Sequence, residues 1–384
     1  RLEYEKTDFE TPISPGSLAP VVADLDNDGQ SEIILFKHGS PNKLLAYDSS
    51  AVLQWSFDDL SDYIHSLSSE RATISDLNYD GFKEILVFKY SENYGESGEL
   101  IALNYDGSVL WRATGFSGAP SDAGILSADL DAKNDDREIV IVETYPHYKL
   151  TILDSNGEVI NSWVDENTIA YSFLNAPAIG NFDDEPELEI VSISSTVIGM
   201  PSKSRLYVHN LDGSLARGWP RELDGLARSP PVVGDVNNDG NQEIIVSTSP
   251  MIATIDFAKT YVFTRFGGVV NGWPKNFVNY VLPAPTLSDV DNDGSLEITT
   301  LEQFDENPTN VYLMDYAGYD LPQWPKSIQG YYSPVVSADF NNDGKSDLLM
   351  ATTSKNRELN KLHAWNAEGT EISGMQKFIG GANG

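Results

Sequence analysis

Short apolar runs alternate with polar turns along the whole chain, and they recur around an acidic nonapeptide. One apolar run precedes each copy, as at 19–23, and another follows it, as at 33–36, and both are typical of β-strands. A third strand ends in a Gly-containing turn, as at 104–107, because Gly adopts the positive φ that hairpin turns require. A fourth strand leads to an aromatic residue, and these residues are Trp55, Trp111, Trp163, Trp219, Trp273 and Trp324, with Met375 in the seventh place. The pattern predicts a four-stranded antiparallel unit.

The nonapeptide occurs seven times at a nearly constant period. Its copies begin at Asp24, Asp76, Asp129, Asn181, Asp235, Asp289 and Asp339, which are separated by 52, 53, 52, 54, 54 and 50 residues. Seven antiparallel units without helical periodicity predict an all-β fold, a seven-bladed β-propeller. We expect a single domain over residues 1–384, with blades at about 17–58, 68–113, 120–165, 172–221, 228–275, 282–326 and 332–378. The Trp residues and Met375 should pack between blades, and residues 1–10 should close the ring beside the last blade.

The repeats resemble the FG-GAP and VCBS-type repeats of bacterial secreted and surface proteins, and the propeller of integrin α subunits, over essentially the whole chain. The Gly-Ala-Pro element of these families stands at 118–120, whereas only Ala-Pro remains at 19–20, 176–177 and 284–285. This departure places the chain nearer to the bacterial repeats than to the integrins. The resemblance implies a propeller with metal-binding loops, and it says little about function.

The acidic loops have the donor pattern of a calcium site between the first and second strands of each blade. Asp or Asn at positions 1, 3 and 5, the residue at position 7 and an acid at position 9 provide oxygen ligands, which Ca²⁺ prefers, and Gly at position 6 permits the turn. An EF-hand needs a carboxylate at position 12, and the five regular loops have none there. The predicted ligands of these five loops are Asp24, Asp26, Asp28, Gln30 and Glu32; Asp76, Asn78, Asp80, Phe82 and Glu84; Asp235, Asn237, Asp239, Asn241 and Glu243; Asp289, Asp291, Asp293, Ser295 and Glu297; and Asp339, Asn341, Asp343, Lys345 and Asp347.

The third and fourth loops depart from this pattern. The third has one extra residue around Lys133, and the fourth replaces the Gly by Pro186. Their candidate ligands are Asp129, Asp131, Asp135 and Glu138, and Asn181, Asp183, Glu185 and Glu189. We therefore expect about five to seven bound calcium ions, one per competent loop.

Net charge and composition exclude several classes of partner and of functional site. The chain has 25 Lys and Arg against 58 Asp and Glu, a net charge of −33, so a nucleic acid would be repelled unless the charge is locally reversed. The seven loops contain 27 of the 58 acidic residues, so we attribute the acidity of the chain mainly to metal binding. There is no Cys, which excludes disulfides, zinc-thiolate sites and cysteine nucleophiles. No apolar stretch is long enough to span a bilayer. Because such calcium sites fill where free calcium is high, we expect a secreted or cell-surface protein. Its export signal would then lie outside the given sequence. We also expect the domain to be monomeric.

The connections on the side opposite to the calcium loops are irregular and rich in Tyr, Phe, Asn and Arg, which suits a glycan or an extracellular protein. Five residues just before the inner strands should surround the channel mouth and bind the ligand; they are Arg71, Asp122, Asn175, Arg228 and Tyr332. The alternative is that they only cap the barrel.

Enzyme motifs such as His-Glu-x-x-His and Gly-x-Ser-x-Gly are missing from the sequence. The best catalytic candidates are Tyr145, His147 and Tyr148, because Tyr and His serve as acid and base in propeller-shaped polysaccharide lyases. Two functions stay open. One is a non-catalytic binding or adhesion module within a larger exported protein, and the other is a calcium-dependent lyase that acts on acidic polysaccharide.

Overall fold

The protein consists of β-strands and turns. The computed structural model describes residues 20–37, 42–60, 72–89, 97–117, 125–133, 135–143, 147–165, 176–196, 203–250, 257–281, 283–303, 308–353 and 361–372, and none of these is helical. No helix in this part of the chain could cross a membrane. The chain falls into two compact units, residues 1–166 and 167–384. The predictions of a single domain and of ring closure by residues 1–10 stay predictions, since residues 1–19 lie outside the described ranges.

The first unit contains three antiparallel sheets in which neighbouring strands follow chain order. The first sheet has β1 (Val21–Ala23), β2 (Glu32–Lys37), β3 (Lys43–Tyr47) and β4 (Leu53–Phe57). The second sheet has β5 (Thr73–Ser75), β6 (Glu84–Lys89), β7 (Ser97–Leu103) and β8 (Val109–Ser117). The third sheet has β9 (Leu126–Ala128), β10 (Glu138–Glu143), β11 (Tyr148–Leu153) and β12 (Val159–Asp165). Each acidic loop lies between the first two strands, as predicted.

The second unit contains four more sheets. The fourth sheet has β13 (Ala178–Gly180), β14 (Glu189–Thr196), β15 (Lys203–His209) and β16 (Arg221–Asp224). The fifth has β17 (Leu226–Ala227), β18 (Val232–Gly234), β19 (Glu243–Ser249), β20 (Ala258–Phe263) and β21 (Lys275–Phe277). The sixth has β22 (Tyr280–Val281), β23 (Thr286–Ser288), β24 (Glu297–Gln303), β25 (Thr309–Met314) and β26 (Lys326–Ile328). The seventh has β27 (Tyr331–Tyr332), β28 (Val336–Ala338), β29 (Asp347–Thr353) and β30 (Lys361–Trp365).

In the last three sheets the innermost strand is split into two short pieces. Both β17 and β18 pair with β19, at its two ends, and β22 with β23 and β27 with β28 pair in the same way with β24 and β29. The four-position meander is therefore conserved, with an interruption in the inner position. The acidic loop follows the second piece in each case.

The second strand is the most buried strand in several of the sheets. All of β10 and all of β19 are buried, which explains their continuous runs of Ile and Val. Each hydrophobic cluster joins two consecutive sheets: Leu206 of β15, for example, shares a cluster with Val246 of β19 and Phe263 of β20. Burial of such a side chain contributes roughly 1.5 to 3 kcal/mol. The core thus lies between sheets.

Tryptophan connects consecutive sheets within each unit. The indole Nε1 donates a hydrogen bond to a backbone carbonyl in the next sheet's turn between its third and fourth strands. The pairs are Trp55 to Tyr105 at 2.9 Å, Trp111 to Ser155 at 2.8 Å, Trp219 to Arg265 at 3.0 Å, Trp273 to Tyr316 at 2.8 Å and Trp324 to Ala367 at 2.9 Å. The predicted packing between blades is confirmed for these five residues. Met375 lies outside the described residues.

The placement of Trp relative to the outer strand differs between the two units. Trp55, Trp111 and Trp163 lie inside their outer strands, as expected. In the fourth, fifth and sixth sheets the prediction is wrong, since the outer strand begins only after a cis Trp-Pro bond, as at Lys275. Between the Gly turn and the Trp there is a single bridge, such as that of Phe263 with Val269. The physical reason is that Pro has no N–H to donate to a strand ladder.

Replacement of Trp273 tests this connection. Trp273→Phe keeps a large ring but leaves the Tyr316 carbonyl without its donor, which should cost about 0.5 to 1.5 kcal/mol of unfolding free energy. Trp273→Ala also opens a cavity and should cost about 3 to 5 kcal/mol. Denaturant unfolding in calcium measures both. A Trp273→Phe variant as stable as the parent would show that the indole hydrogen bond does not matter, and equal losses in the two variants would show that ring packing adds nothing.

A buried histidine gives the second unit an acid-sensitive position. His209 is fully buried at the end of β15 and stacks on Tyr207, with ring centroids 5.5 Å apart. Burial lowers the pKa of His209 from 6.5 to about 4. As the pH falls, the unfolded chain therefore takes up the proton before the folded chain does. Stability is retained above about pH 6.5 and lost between about pH 6.5 and 4, by about 3 kcal/mol in total.

The repeat itself supplies the variant that tests this effect. Phe263 occupies the corresponding place in the fifth sheet and makes the same kind of bridge. His209→Phe should therefore fold, and its melting temperature should fall less between pH 7 and pH 4.5 than that of the parent, measured in saturating calcium. The prediction fails if both proteins lose stability in parallel.

Candidate metal centre

Hydrogen bonds from backbone N–H groups of each acidic loop fix the positions of its own side-chain oxygens. In the first loop, Asp24 accepts from Asp28 N at 3.1 Å and from Gly29 N at 3.0 Å through its two oxygens. Asp26 Oδ1 accepts from Asp28 N at 3.2 Å, and Asp28 Oδ1 accepts from Gln30 N at 2.7 Å. The carboxylates at positions 1, 3 and 5 are thus fixed around one small space.

The same set of bonds recurs in the other regular loops. Position 1 accepts from positions 5 and 6, position 3 accepts from position 5, and position 5 accepts from position 7. These acceptors are Asp76, Asn78 and Asp80; Asp235, Asn237 and Asp239; Asp289, Asp291 and Asp293; and Asp339, Asn341 and Asp343. Five loops therefore present one geometry.

Two positions of the regular loop have a left-handed backbone. Gly at position 6 has a positive φ in all five loops, such as 87° at Gly29, where a Cβ would meet nothing within 4 Å. The φ angle and not close packing therefore requires Gly there. Position 4 has a positive φ as well, for example 60° at Asn27 and 69° at Asn292. The sequence shows Asn at this position in four of the five loops, a signal that the sequence reasoning missed.

A carboxylate closes every loop, including the irregular ones, and it is buried in all but the first, where Glu32 is half-buried. One of its oxygens accepts the backbone N–H of the apolar residue at position 2. The pairs are Glu32 with Leu25, Glu84 with Leu77, Glu138 with Leu130, Glu189 with Phe182, Glu243 with Val236, Glu297 with Val290, and Asp347 with Phe340, at 2.6 to 3.1 Å. This bond was not predicted from the sequence. Its signal is the spacing between an apolar residue and the acid, which is seven residues in six loops and eight in the third.

The closing carboxylates lie in an environment that disfavours their charge. Burial, together with the neighbouring loop aspartates, raises the pKa of Glu243 and that of Glu297 to about 7. Burial also raises the pKa of Asp347, whose Oδ1 is buried and has no hydrogen-bond partner among the described residues. A buried, unpaired carboxylate oxygen is costly unless a cation reaches it. The five regular loops therefore fit a cation.

The donor set fits a hard, oxygen-preferring ion. In the first loop, oxygens of Asp24, Asp26 and Glu32 lie within 4.8 Å of one another, and the same holds for Asp289, Asp291 and Glu297 in the sixth. Ca²⁺ accepts six to eight oxygens in irregular geometry, whereas Mg²⁺ needs a near-ideal octahedron. The residues at position 7, which are Gln30, Phe82, Asn241, Ser295 and Lys345, share only a main-chain carbonyl, the group expected to bind there.

The third loop gathers its acids but also carries its own cation. Oxygens of Asp129, Asp131 and Glu138 lie within 4.8 Å of one another, despite the extra residue. The predicted ligand Asp135 is not part of this group. The Lys133 ammonium contacts Asp131 directly, and that contact lowers the pKa of the Asp131 carboxyl despite its partial burial. A metal ion in this loop must therefore compete with Lys133.

The fourth loop does not fit a cation. The Asn181 amide donates Nδ2 to the Glu185 carbonyl at 2.7 Å, so an N–H group lies where the other loops place an oxygen. From the fifth sheet, Arg265 Nη1 lies 2.9 Å from Asp184 Oδ1 and 3.4 Å from the Asp183 carbonyl. The Arg265 guanidinium therefore places a positive charge beside the fourth loop. The prediction of Asn181, Asp183, Glu185 and Glu189 as a ligand set is not supported by this geometry.

The loops and the Gly turns share one edge of the sheets, as predicted. The first loop opens into a cleft of about 600 Å³ whose lining includes Ser49 of its own sheet's turn and Tyr105 of the next. Ser49 Oγ donates to Gln30 Oε1 at 2.9 Å. Consecutive loops are also joined by backbone bonds, such as Lys83 N to Leu25 O at 2.9 Å and Leu296 N to Val236 O at 3.1 Å.

Four of the eight predicted ligand and catalytic residues fall outside the described residues. These are Arg71, Asp122, Asn175 and Tyr145. The Arg228 guanidinium lies 5.8 Å from the Tyr280 ring centroid, and Tyr332 belongs to β27. Tyr148 is buried in β11 with its ring edge-to-face with Trp163, and His147 lies just before that strand. The assignment of ligand binding to the edge opposite the acidic loops stays a prediction.

Comparison with known proteins supports the fold. Residues 289–350 match the family model of the FG-GAP-like repeat. The match begins in the sixth acidic loop and ends in β29 of the seventh sheet. No curated protein sequence matches the chain at a significant level. A rhamnogalacturonan lyase of Bacillus licheniformis has a similar structure, with a TM-score of 0.57 and 14% identity over 93% of this chain and 70% of that chain.

Two further solved structures align with lower scores. The Dos1 propeller has a TM-score of 0.48 and 13% identity over 90% of this chain and 75% of that chain. The biofilm matrix protein Bap1 of V. cholerae has a TM-score of 0.36 and 14% identity over 94% and 82%. Together with seven antiparallel sheets, the FG-GAP-like repeat confirms the all-β, seven-bladed propeller class.

The cost of the positive φ at position 4 can be tested with substitutions that leave the predicted metal ligands unchanged. Asn292→Ala should lower the unfolding free energy by about 1 kcal/mol in calcium, because Ala resists a φ of 69°. Asn292→Gly, the matched control, should be close to neutral, since Gly adopts this φ freely. Thermal unfolding of the two variants provides the measurement, and a Gly variant less stable than the Ala variant would contradict the explanation.

Proposed function

We propose that the protein is a calcium-stabilised, exported β-propeller that recognises a glycan or an extracellular protein. The observation that carries the calcium assignment is the shared oxygen arrangement of five loops, each closed by a carboxylate that is buried in four of them and half-buried in the first. In the seventh loop the buried Asp347 oxygen has no hydrogen-bond partner among the described residues. A divalent cation is the simplest group that satisfies all five.

The calcium would act as a structural crosslink. Each regular loop joins the first and second strands of its sheet, and it also bonds to the neighbouring loop, as Lys83 N does to Leu25 O. The residues that hold the ion are those at positions 1, 3, 5, 7 and 9. When bound, the ion supplies positive charge to carboxylates that otherwise repel one another at short range.

An extracellular location is consistent with this chemistry. Exposed loops of mixed Asp and Asn ligands resemble weak-to-moderate calcium sites, which fill at about 10⁻⁴ to 10⁻³ M in extracellular modules. In the described ranges, the rigid parts repeat from sheet to sheet, and the connections vary. Variable loops on a rigid scaffold are the usual place for ligand binding, which favours a binding module over an enzyme.

Replacement of a closing acid gives a test with opposite signs in two conditions. Glu297→Gln keeps an oxygen for the Val290 N–H but removes the charge. In EDTA the variant should be more stable than the parent, because a buried charge and its repulsion with Asp289, Asp291 and Asp293 are gone. In millimolar calcium the variant should be less stable and should bind one ion fewer by metal analysis, because a ligand is lost.

Glu189→Gln is the matched control in the fourth loop. It is similarly buried and accepts the same backbone bond, from Phe182, but beside its loop Arg265 of the fifth sheet pairs with Asp184. The change in stability should therefore be the same in calcium and in EDTA. A parent protein with no bound calcium and an EDTA-independent melting temperature would refute the proposal.

A further inference from the structure

Positive charge in the second unit is concentrated where acidic residues are missing. The longest stretch of the chain without Asp or Glu runs from Phe257 to Ser288, and it contains Lys259, Arg265 and Lys275. The net charge of the whole chain is −33, so a run of this kind locally reverses the charge. Its central part forms the turn of the fifth sheet, on the same edge as the acidic loops.

Basic and aromatic residues of four consecutive sheets meet on this edge. We call Arg217, Phe266, Lys275, Tyr319 and Lys326 the turn surface. The Arg217 guanidinium of the fourth sheet lies 5.3 Å from the Phe266 ring centroid of the fifth, and Lys275 Nζ lies 5.8 Å from the Tyr319 centroid of the sixth. Lys326 reaches Gly369 of the seventh, where an added Cβ would lie 2.5 Å from Lys326 Cε. Each of these three contacts joins two consecutive sheets.

Three cations of this surface form no ion pair within 4.0 Å in the described part of the chain, although the Asp320 carboxylate is near enough to Lys275 to interact with its charge. Among the described residues, no carboxylate oxygen lies within 4.0 Å of Arg217, Lys275 or Lys326, and neither lysine ammonium donates a hydrogen bond. By contrast, Lys203 and Lys259, on the opposite edge of the same sheets, pair with Glu222 at 2.8 Å and Asp224 at 2.6 Å. The chain has more than twice as many acidic as basic residues. Lys203 and Lys259 form direct ion pairs with acidic residues, whereas the cations of the turn surface form none with a described residue.

Packing alone explains only part of this arrangement. The stem of Lys275 covers Gly318, since an added Cβ there would lie 2.3 Å from Lys275 Cε, and the neighbouring Arg221 donates Nη2 to the Phe266 carbonyl at 3.2 Å. A Met or Gln side chain would cover Gly318 equally well. The covering of Gly318 therefore does not require a charge. In the described residues, the two ammonium groups interact with Asp320, Tyr319 and the Trp324 ring, whose centroid lies 5.5 Å from Lys326 Nζ.

The aromatic rings between the cations are open to solvent. Tyr319 is 72% exposed and Phe266 is 41% exposed, and both lie beside basic groups. An exposed ring next to a cation offers an apolar face for a sugar ring and a charge for its acidic substituent. A nucleic acid would also meet these groups, but its dense charge would be repelled by the acidic remainder of the surface.

We propose that the turn surface binds an acidic polysaccharide, with Lys275 and Lys326 facing its carboxylate or sulfate groups and with Tyr319 and Phe266 against its sugar rings. This assignment rests on the proposed function and specifies its partner. It places the glycan on the edge that carries the acidic loops, whereas the sequence alone favoured the opposite edge, at Arg228.

Binding of the full, calcium-loaded chain to three polymers tests the proposal. Polygalacturonate carries carboxylates, dextran sulfate carries sulfates and dextran is neutral, and affinity gel electrophoresis measures all three. The parent should bind at least one of the two polyanions, more weakly as salt is raised, and should not bind dextran. The polyanion that binds more tightly identifies the acidic group.

The variants locate the site. Lys275→Gln/Lys326→Gln should weaken polyanion binding about tenfold, because two exposed ion pairs are lost. Lys203→Gln/Lys259→Gln removes the same net charge from acid-paired lysines on the opposite edge and should change binding less than about twofold. Arg228→Gln tests the opposite edge on its own. The melting temperatures of all variants in calcium control for folding.

Four results would overturn the proposal: no binding of either polyanion by the parent, equal losses in the two double variants, an unchanged turn-surface variant, or loss of binding in Arg228→Gln alone. These outcomes are distinct from failure of the proposed function, which is decided by calcium content and by the effect of EDTA on stability. A calcium-loaded protein that binds neither polyanion would leave the calcium assignment intact and refute the glycan assignment.

Discussion

The hydrogen bond from the position 2 N–H to the closing carboxylate is the constraint on which each blade depends. It is present in all seven loops, although the loops differ in length, in Gly content and in the number of acids. It fixes a buried or half-buried carboxylate between the first and second strands, where its charge is unfavourable. A positive charge nearby offsets this cost. Lys133 provides it within the third loop, Arg265 of the fifth sheet pairs with Asp184 of the fourth loop, and the proposed calcium ions provide it to the other five.

Contact between blades uses the backbone as the acceptor, which leaves the accepting side chain free to vary. The five Trp residues donate to carbonyls of Tyr105, Ser155, Arg265, Tyr316 and Ala367, which have no side-chain property in common. The geometry of the turn, fixed by its Gly, places the carbonyl. At Gly107 a Cβ would lie 2.6 Å from the Trp55 ring, so Gly also makes room for the donor. Trp and Gly therefore repeat while the residues between them diverge.

The sequence was sufficient for features that repeat and insufficient for features that depend on distant residues. The seven units, the loop between the first two strands and the role of Trp follow from the period and from local turn chemistry. The incompatibility of the fourth loop with a cation does not, because Arg265 is 81 residues from Asp184 and no local signal joins them. The outer strands of the fourth, fifth and sixth sheets were misplaced because Pro next to Trp was not weighed as a break in the ladder. The irregular connections carry no period, so Arg71 or Tyr145 had only composition to support them.

Net charge is a poor guide to the partner of this protein because charge acts over a short distance. At physiological salt, exposed charges are screened beyond about 10 Å, so a ligand senses the groups beside it and not the sum of −33. Many of the acids lie in the loops, where Lys133, Arg265 and the proposed calcium ions offset them. The turn surface has unpaired cations and lies in the second unit, where the acid-free stretch runs from Phe257 to Ser288. An acidic protein can therefore hold a polyanion, provided that its acidic residues are neutralised locally and its basic residues are not.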